Sequence, residues 1–155
     1  MKSLLLDTNV LVLLVVGNLD DSKVGRHRRL RQFDIFDLER VTRVAESAAK
    51  HVSTPNILTE VSNHLNSGEQ EIAIGAGRAL MNYIEKLDEV YVPSQELVGE
   101  IPFAKFGLAD AAVIEAASRT GATVLTSEWS LQGFLEQMGL NAINIFHLKQ
   151  PRDFH

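Results

Sequence analysis

The sequence predicts an α/β protein: one domain, residues 1–155, built as a three-layer α/β/α sandwich around a mostly parallel sheet of about five strands. Three observations predict it. Five short apolar runs, which period alone does not tell from helix, are spaced as strands with helical patterns between them, and 155 residues that are 45% hydrophobic suffice for one domain with its own core. Strands that alternate with helices imply right-handed crossovers and parallel pairing.

The elements follow in order. Ser3–Leu6 is the first strand, and Thr8–Val16 continues as a helix. A second helical pattern covers Asp37–Lys50, and His51–Ser53 is the next strand. Thr54 before Pro55 supplies an N-cap and a proline at the first helical position, so a helix is expected over Pro55–Asn66. Gly68 ends it, and Glu69–Leu87 is a long helix. Val90–Val92 is the third strand, and Ser94 caps a short helix after it. Ala109–Arg119 is an alanine-rich helix stopped by Thr120-Gly121. Ala122–Leu125 is the fourth strand. Ser127 caps a helix over Trp129–Met138, Gly139 stops it, and Ile143–Phe146 is the fifth strand.

Composition narrows the chemistry. No cysteine means no disulfide, no zinc–thiolate site, no iron–sulfur cluster and no cysteine nucleophile. Asp7 interrupts the apolar run Leu4 to Val16, which argues against a signal peptide or a membrane span, so a cytoplasmic protein is expected. The net charge is −5, unevenly spread. Residues 1–50 carry nine basic and seven acidic groups, residues 51–155 six and thirteen. Arg26, Arg28, Arg29 and Arg31 concentrate the positive charge. They read as a local phosphate-contacting patch or as a solvated helix face.

Four acids stand where such a fold builds a site. Ligands of open α/β sheets bind beyond the carboxyl ends of the strands. Asp7 directly follows the first strand, and Glu128 follows Thr126-Ser127 after the fourth. Either one alone also fits a helix cap. Asp110 falls at the centre of the apolar face formed by Val113, Ile114 and Ala117, where a carboxylate is costly without a hydrogen bond or a cation. Glu60 flanks the apolar stripe Ile57, Leu58, Val61 and Leu65, with His64 one turn later as a metal partner or a core histidine. Two carboxylates about 4 Å apart repel by roughly 4 kcal/mol at an effective dielectric near 20. A cluster of them makes sense around a hard cation, Mg²⁺ or Mn²⁺.

Four motifs then resemble the PIN-domain nucleases, a family that includes VapC-type toxins. They are Leu4-Leu5-Leu6-Asp7-Thr8-Asn9-Val10-Leu11, Thr54-Pro55-Asn56-Ile57-Leu58-Thr59-Glu60-Val61, Gly107-Leu108-Ala109-Asp110-Ala111-Ala112 and Thr123-Val124-Leu125-Thr126-Ser127-Glu128. They stand in the family's order and span nearly the whole chain. The resemblance implies a PIN-like fold and a Mg²⁺- or Mn²⁺-dependent endoribonuclease. Asp7, Glu60, Asp110 and Glu128 would be its catalytic and metal-holding acids, Glu128 standing where the family more often has Asp. Thr8, Asn9 and Thr126 would orient the acids or the scissile phosphate. Arg26, Arg28, Arg29 and Arg31 would contact RNA. An RNA substrate, an antitoxin partner and a homodimer are implied too. The substitution at Glu128 keeps a second reading open, a catalytically weak or inactive PIN-like module that binds RNA or a partner. Two other acidic α/β folds fit poorly. A receiver domain needs an acid after its third strand, and Val90–Val92 runs into Pro93-Ser94. A haloacid-type phosphatase needs Asp-x-Asp, and the chain has Asp7-Thr8-Asn9.

Overall fold

Leu4, Leu5 and Leu6 are buried in β1 (Ser3–Leu6), the central strand of the sheet. A strand paired on both edges and covered on both faces has no polar side to present, hence its unbroken apolar run. The computed structural model describes residues 2–65, 70–99 and 101–149. In them β2 (Lys50–Ser53), β3 (Asp88–Glu89), β4 (Thr123–Thr126) and β5 (Ala142–Asn144) complete a sheet of order β3-β2-β1-β4-β5. Every pairing is parallel, and Leu5 stands opposite Val52 on one side and Val124 on the other. The expected α/β class and parallel five-stranded sheet are what the chain adopts.

The helices are α1 (Thr8–Leu19), α2 (Ile35–Ser47), α3 (Pro55–Leu65), α4 (Gln70–Lys86), α5 (Ser94–Leu97), α6 (Ile101–Phe106), α7 (Leu108–Thr120) and α8 (Trp129–Gln137). Right-handed crossovers from β1 through β2 to β3 put α1–α4 on one face, and the return to β4 and β5 puts α5–α8 on the other. In keeping with this, α1 packs against α2, α3 and α4, while α7 packs on β1, β2 and β4. Val10, Leu11, Val12, Leu13, Val15 and Val16 are all buried, so α1 is apolar around most of its circumference, as an internal helix must be. Among the described residues, no helix is long and apolar enough to cross a membrane.

Local chemistry sets the boundaries. Thr54 Oγ1 accepts from Ile57 N at 3.2 Å, the cap expected before Pro55. Gly121 (φ +74°) and Gly139 (φ +77°) end α7 and α8 in the left-handed region that glycine tolerates. Elsewhere the chain departs from expectation. The second helix starts at Ile35, because Asp34 and Asp37 form a reciprocal capping box, and it ends at Ser47 because Lys50 N joins the sheet at Lys2 O. The third strand is Asp88–Glu89, not Val90–Val92. Val90 and Val92 instead pack with Leu97, Ala111 and Ala112 in a small cluster beside the sheet. The fifth strand stops at Asn144, whose Oδ1 accepts from Phe146 N and turns the chain into a 3₁₀ segment, Ile145–Lys149. Ser94 is the first residue of α5 and makes no cap bond; Pro93 holds the cap position. Ser127 does not cap α8 either, since Glu128 occupies that position. Gly68, the expected helix limits at Asn66 and Glu69, and the tail with His155 lie outside the described residues.

Candidate metal centre

The strand order reverses between β1 and β4, because the chain leaves β1 toward β2 and returns on the other side. Such a switch point opens a crevice at the carboxyl ends of the strands. Asp7 leaves β1 there, and Thr126-Ser127-Glu128 leaves β4.

Asp7 is buried and held at both oxygens. Its Oδ1 accepts from Thr8 N at 2.8 Å, which makes it the N-cap of α1, and its Oδ2 accepts from Thr126 Oγ1 at 2.8 Å. Burial pushes its carboxyl above the ordinary range, the Thr126 and Thr8 hydrogen bonds oppose that rise, and the Glu60 charge adds to it. Thr126 is fully buried and serves twice, since its Oγ1 also accepts from Glu128 N at 3.0 Å. One hydroxyl thus fixes the Asp7 carboxylate and the start of the chain segment that carries Glu128.

Asp110 enters from α7. Gly107, at φ +88°, turns the chain into that helix and offers no capping side chain, so Asp110 lies in an uncapped first turn. Its carboxyl is half-buried, and its pKa is raised to about 8, by burial first and then by Asp7, Glu128 and Glu60. Glu128 is exposed as a residue and its side chain makes no cap bond, but partial burial of its carboxyl raises its pKa, with Asp7 and Glu60 adding to the rise and Arg29 opposing it. Asp7, Asp110 and Glu128 each offer an oxygen, and the three oxygens lie within 4.8 Å of one another. They can hold a metal ion.

Glu60 stands beside this group. It is exposed on α3, and its Oε2 accepts from Thr8 Oγ1 at 3.0 Å. Three of the four expected acids therefore share one ligand cluster, and the fourth is tethered to it through Thr8. His64 is half-buried and stays outside the cluster, and burial holds its pKa below the ordinary imidazole value. No hydrogen bond joins the Asn9 side chain to the acids among the described residues. Asn9 lines a pocket of about 230 Å³ with Arg28, Arg29, Arg31 and Gln32, and its Oδ1 is buried without a partner. The basic segment is a chain of tight turns, not the face of a helix, and Arg26 is exposed outside that pocket.

No protein-family model matches the chain, and no curated protein matches it. Its structure is similar to the crystal structure of PAE2754 from Pyrobaculum aerophilum, with a TM-score of 0.56 and 18% identity over 95% of this chain and 93% of that one. It also matches a domain of a functionally unknown protein from Methanocaldococcus jannaschii DSM 2661, with a TM-score of 0.49 and 22% identity over 93% and 91%. The first likeness supports the three-layer fold, and at this identity it speaks to the fold alone.

Sequence reasoning gave no role to Asn144. It is fully buried at the carboxyl end of β5, beside Thr126 in the ladder, with Nδ2 unpaired. The available signal was an amide inside the apolar run Ala142–Phe146.

Proposed function

We propose that the protein is a divalent-metal-dependent endoribonuclease that hydrolyses RNA phosphodiester bonds. The observation that carries this reading is the convergence of Asp7, Asp110 and Glu128, from three separated stretches of chain, on one point at the switch of strand order. The RNA substrate rests on the resemblance to PIN-domain nucleases.

The residues fit Mg²⁺ or Mn²⁺. The donors are all carboxylate oxygens, and the chain has no cysteine to favour a softer metal. Burial first, and then the charges of Asp7, Glu128 and Glu60, raise the Asp110 pKa, and a cation bound there would offset both. A divalent cation bound there supplies activation of water and neutralisation of charge on the scissile phosphate. The chain does the positioning. Asp7 is held at both carboxylate oxygens, by Thr8 and Thr126. Thr126 also holds the backbone that presents Glu128. Glu60, tethered to Thr8, adds negative charge at the rim.

The test is incubation of the purified protein with a panel of structured and single-stranded RNAs in Mg²⁺, Mn²⁺ or EDTA, beside Asp7→Asn. Cleavage that needs metal and vanishes in the variant is expected. Cleavage that survives in Asp7→Asn or in EDTA overturns the proposal. Metal binding without cleavage of any RNA would mark a PIN-like binding module instead. The proposal extends to the toxin of a toxin–antitoxin pair that acts as a homodimer. Growth arrest by the wild-type chain but not by Asp110→Asn, and a particle of twice the chain mass in sedimentation, are the expected results.

A further inference from the structure

The basic turn beside the acids is built rather than floppy. Leu30 and Phe33 are buried, and Phe33 stacks on Phe146 with ring centroids 5.9 Å apart. Gly25 N donates to Leu30 O at 3.0 Å and Leu30 N to His27 O at 2.8 Å, while His27 Nδ1 accepts from Arg29 N at 3.1 Å. These bonds close the segment on itself and set Arg28, Arg29 and Arg31 around one pocket of about 230 Å³, with Asn9 in its wall. Among the described residues, none of the three arginines is in an ion pair, although the chain carries a net charge of −5. Arg29 Nε is buried with no partner. Three unneutralised guanidinium groups lining one preorganised pocket suit a planar or tetrahedral oxyanion.

We infer that Arg28, Arg29 and Arg31, with Asn9, form a phosphate subsite that grips a single-stranded nucleic acid one or more phosphates away from the acid cluster. The inference rests on the nuclease reading for the identity of the strand, and it assigns the way that strand is held. Asn9 is two residues beyond Asp7, so subsite and acids share the first turn of α1. The Arg29 charge is felt at Glu128, yet the two make no ion pair. Positive and negative subsites therefore stand side by side without cancelling. A strand repelled by the acids is drawn in by the arginines, which fixes its register.

The experiment measures binding of a fluorescein-labelled oligouridylate by anisotropy in EDTA over a KCl series. Each strand phosphate contacted contributes about 0.7 to the slope of log affinity against log salt. Arg28→Gln/Arg31→Gln, two exposed positions that leave the fold intact, is expected to lower that slope by about 1.4, and adding Arg29→Gln by about 2 in all. Arg43→Gln, exposed on α2 and paired with Glu39, is expected to leave it unchanged. A folded double variant with the wild-type slope overturns the inference, as does an equal loss in Arg43→Gln. The EDTA readout does not use cleavage. Slope loss without RNA cleavage would remove the nuclease reading and keep the subsite, and cleavage with an unaltered slope would do the reverse.

Discussion

Replacing Asp110 by Asn removes a charge from a place that penalises it, so the metal-free variant is expected to be more stable than the wild type. The ordinary value of this carboxyl is 3.8, and the site lifts it to about 8. Between those values the folded state binds a proton that the unfolded state releases. Stability therefore falls as pH rises from about 4 to about 8 and is level above that. The full difference corresponds to about 6 kcal/mol. The carboxyl is only half-buried, so solvent screens it, and about 3 kcal/mol is the share expected in practice. Asparagine keeps the shape and carries no charge. Urea unfolding followed by far-UV circular dichroism in EDTA should find Asp110→Asn about 2–3 kcal/mol more stable near pH 8.5, with the gap closing below pH 4. Saturating Mn²⁺ should then raise the wild type and leave the variant nearly unmoved, because only a protein that binds the ion gains from it. A variant no more stable than wild type at pH 8.5, or a gap that does not change with pH, would refute the reasoning.

Two further outcomes follow from single contacts. Thr126→Val removes the hydroxyl that both donates to Asp7 and accepts from Glu128 N, leaving the buried Asp7 Oδ2 unmet and freeing the Glu128 N–H. It is expected to cost about 2–3 kcal/mol in urea unfolding. It should also weaken Mn²⁺ affinity by calorimetry, and unchanged affinity would show that Thr126 does not position the acids. Tyr83→Phe tests the opposite end of the sheet, where His51 Nε2 faces Ala45 O and must donate, so Nδ1 accepts from the Tyr83 hydroxyl at 2.9 Å. Its loss should cost about 1–2 kcal/mol in the same assay while leaving metal binding intact.

How much of this was legible beforehand depends on the range of the forces involved. Apolar runs, glycine stops and the Thr54-Pro55 start are local, so the α/β class and the order of elements could be read directly from residues such as Leu4–Leu6 and Gly121. The capping box at Asp34 and the packing of Val92 beside the sheet were missed. The first uses aspartate where glutamate is usual, and the second depends on helices distant in sequence.

The site divides the same way. An acid that follows a central strand must emerge at the carboxyl edge, so the sequence by itself determined the neighbourhood of Asp7 and Glu128. Only the tertiary structure decided which carboxylates share a cluster. Thr126 reaches Asp7 across 119 residues and Thr8 reaches Glu60 across 52, distances over which no periodicity reports. The raised pKa of Asp110 belongs to the fold as well, because burial and three neighbouring charges exist together only once α7 has docked at the switch point. The arginines show the contrast most plainly. Their charge was visible in the sequence, but buried Leu30 and Phe33 anchor the turn that gathers Arg28, Arg29 and Arg31 around one pocket with Asn9 of α1.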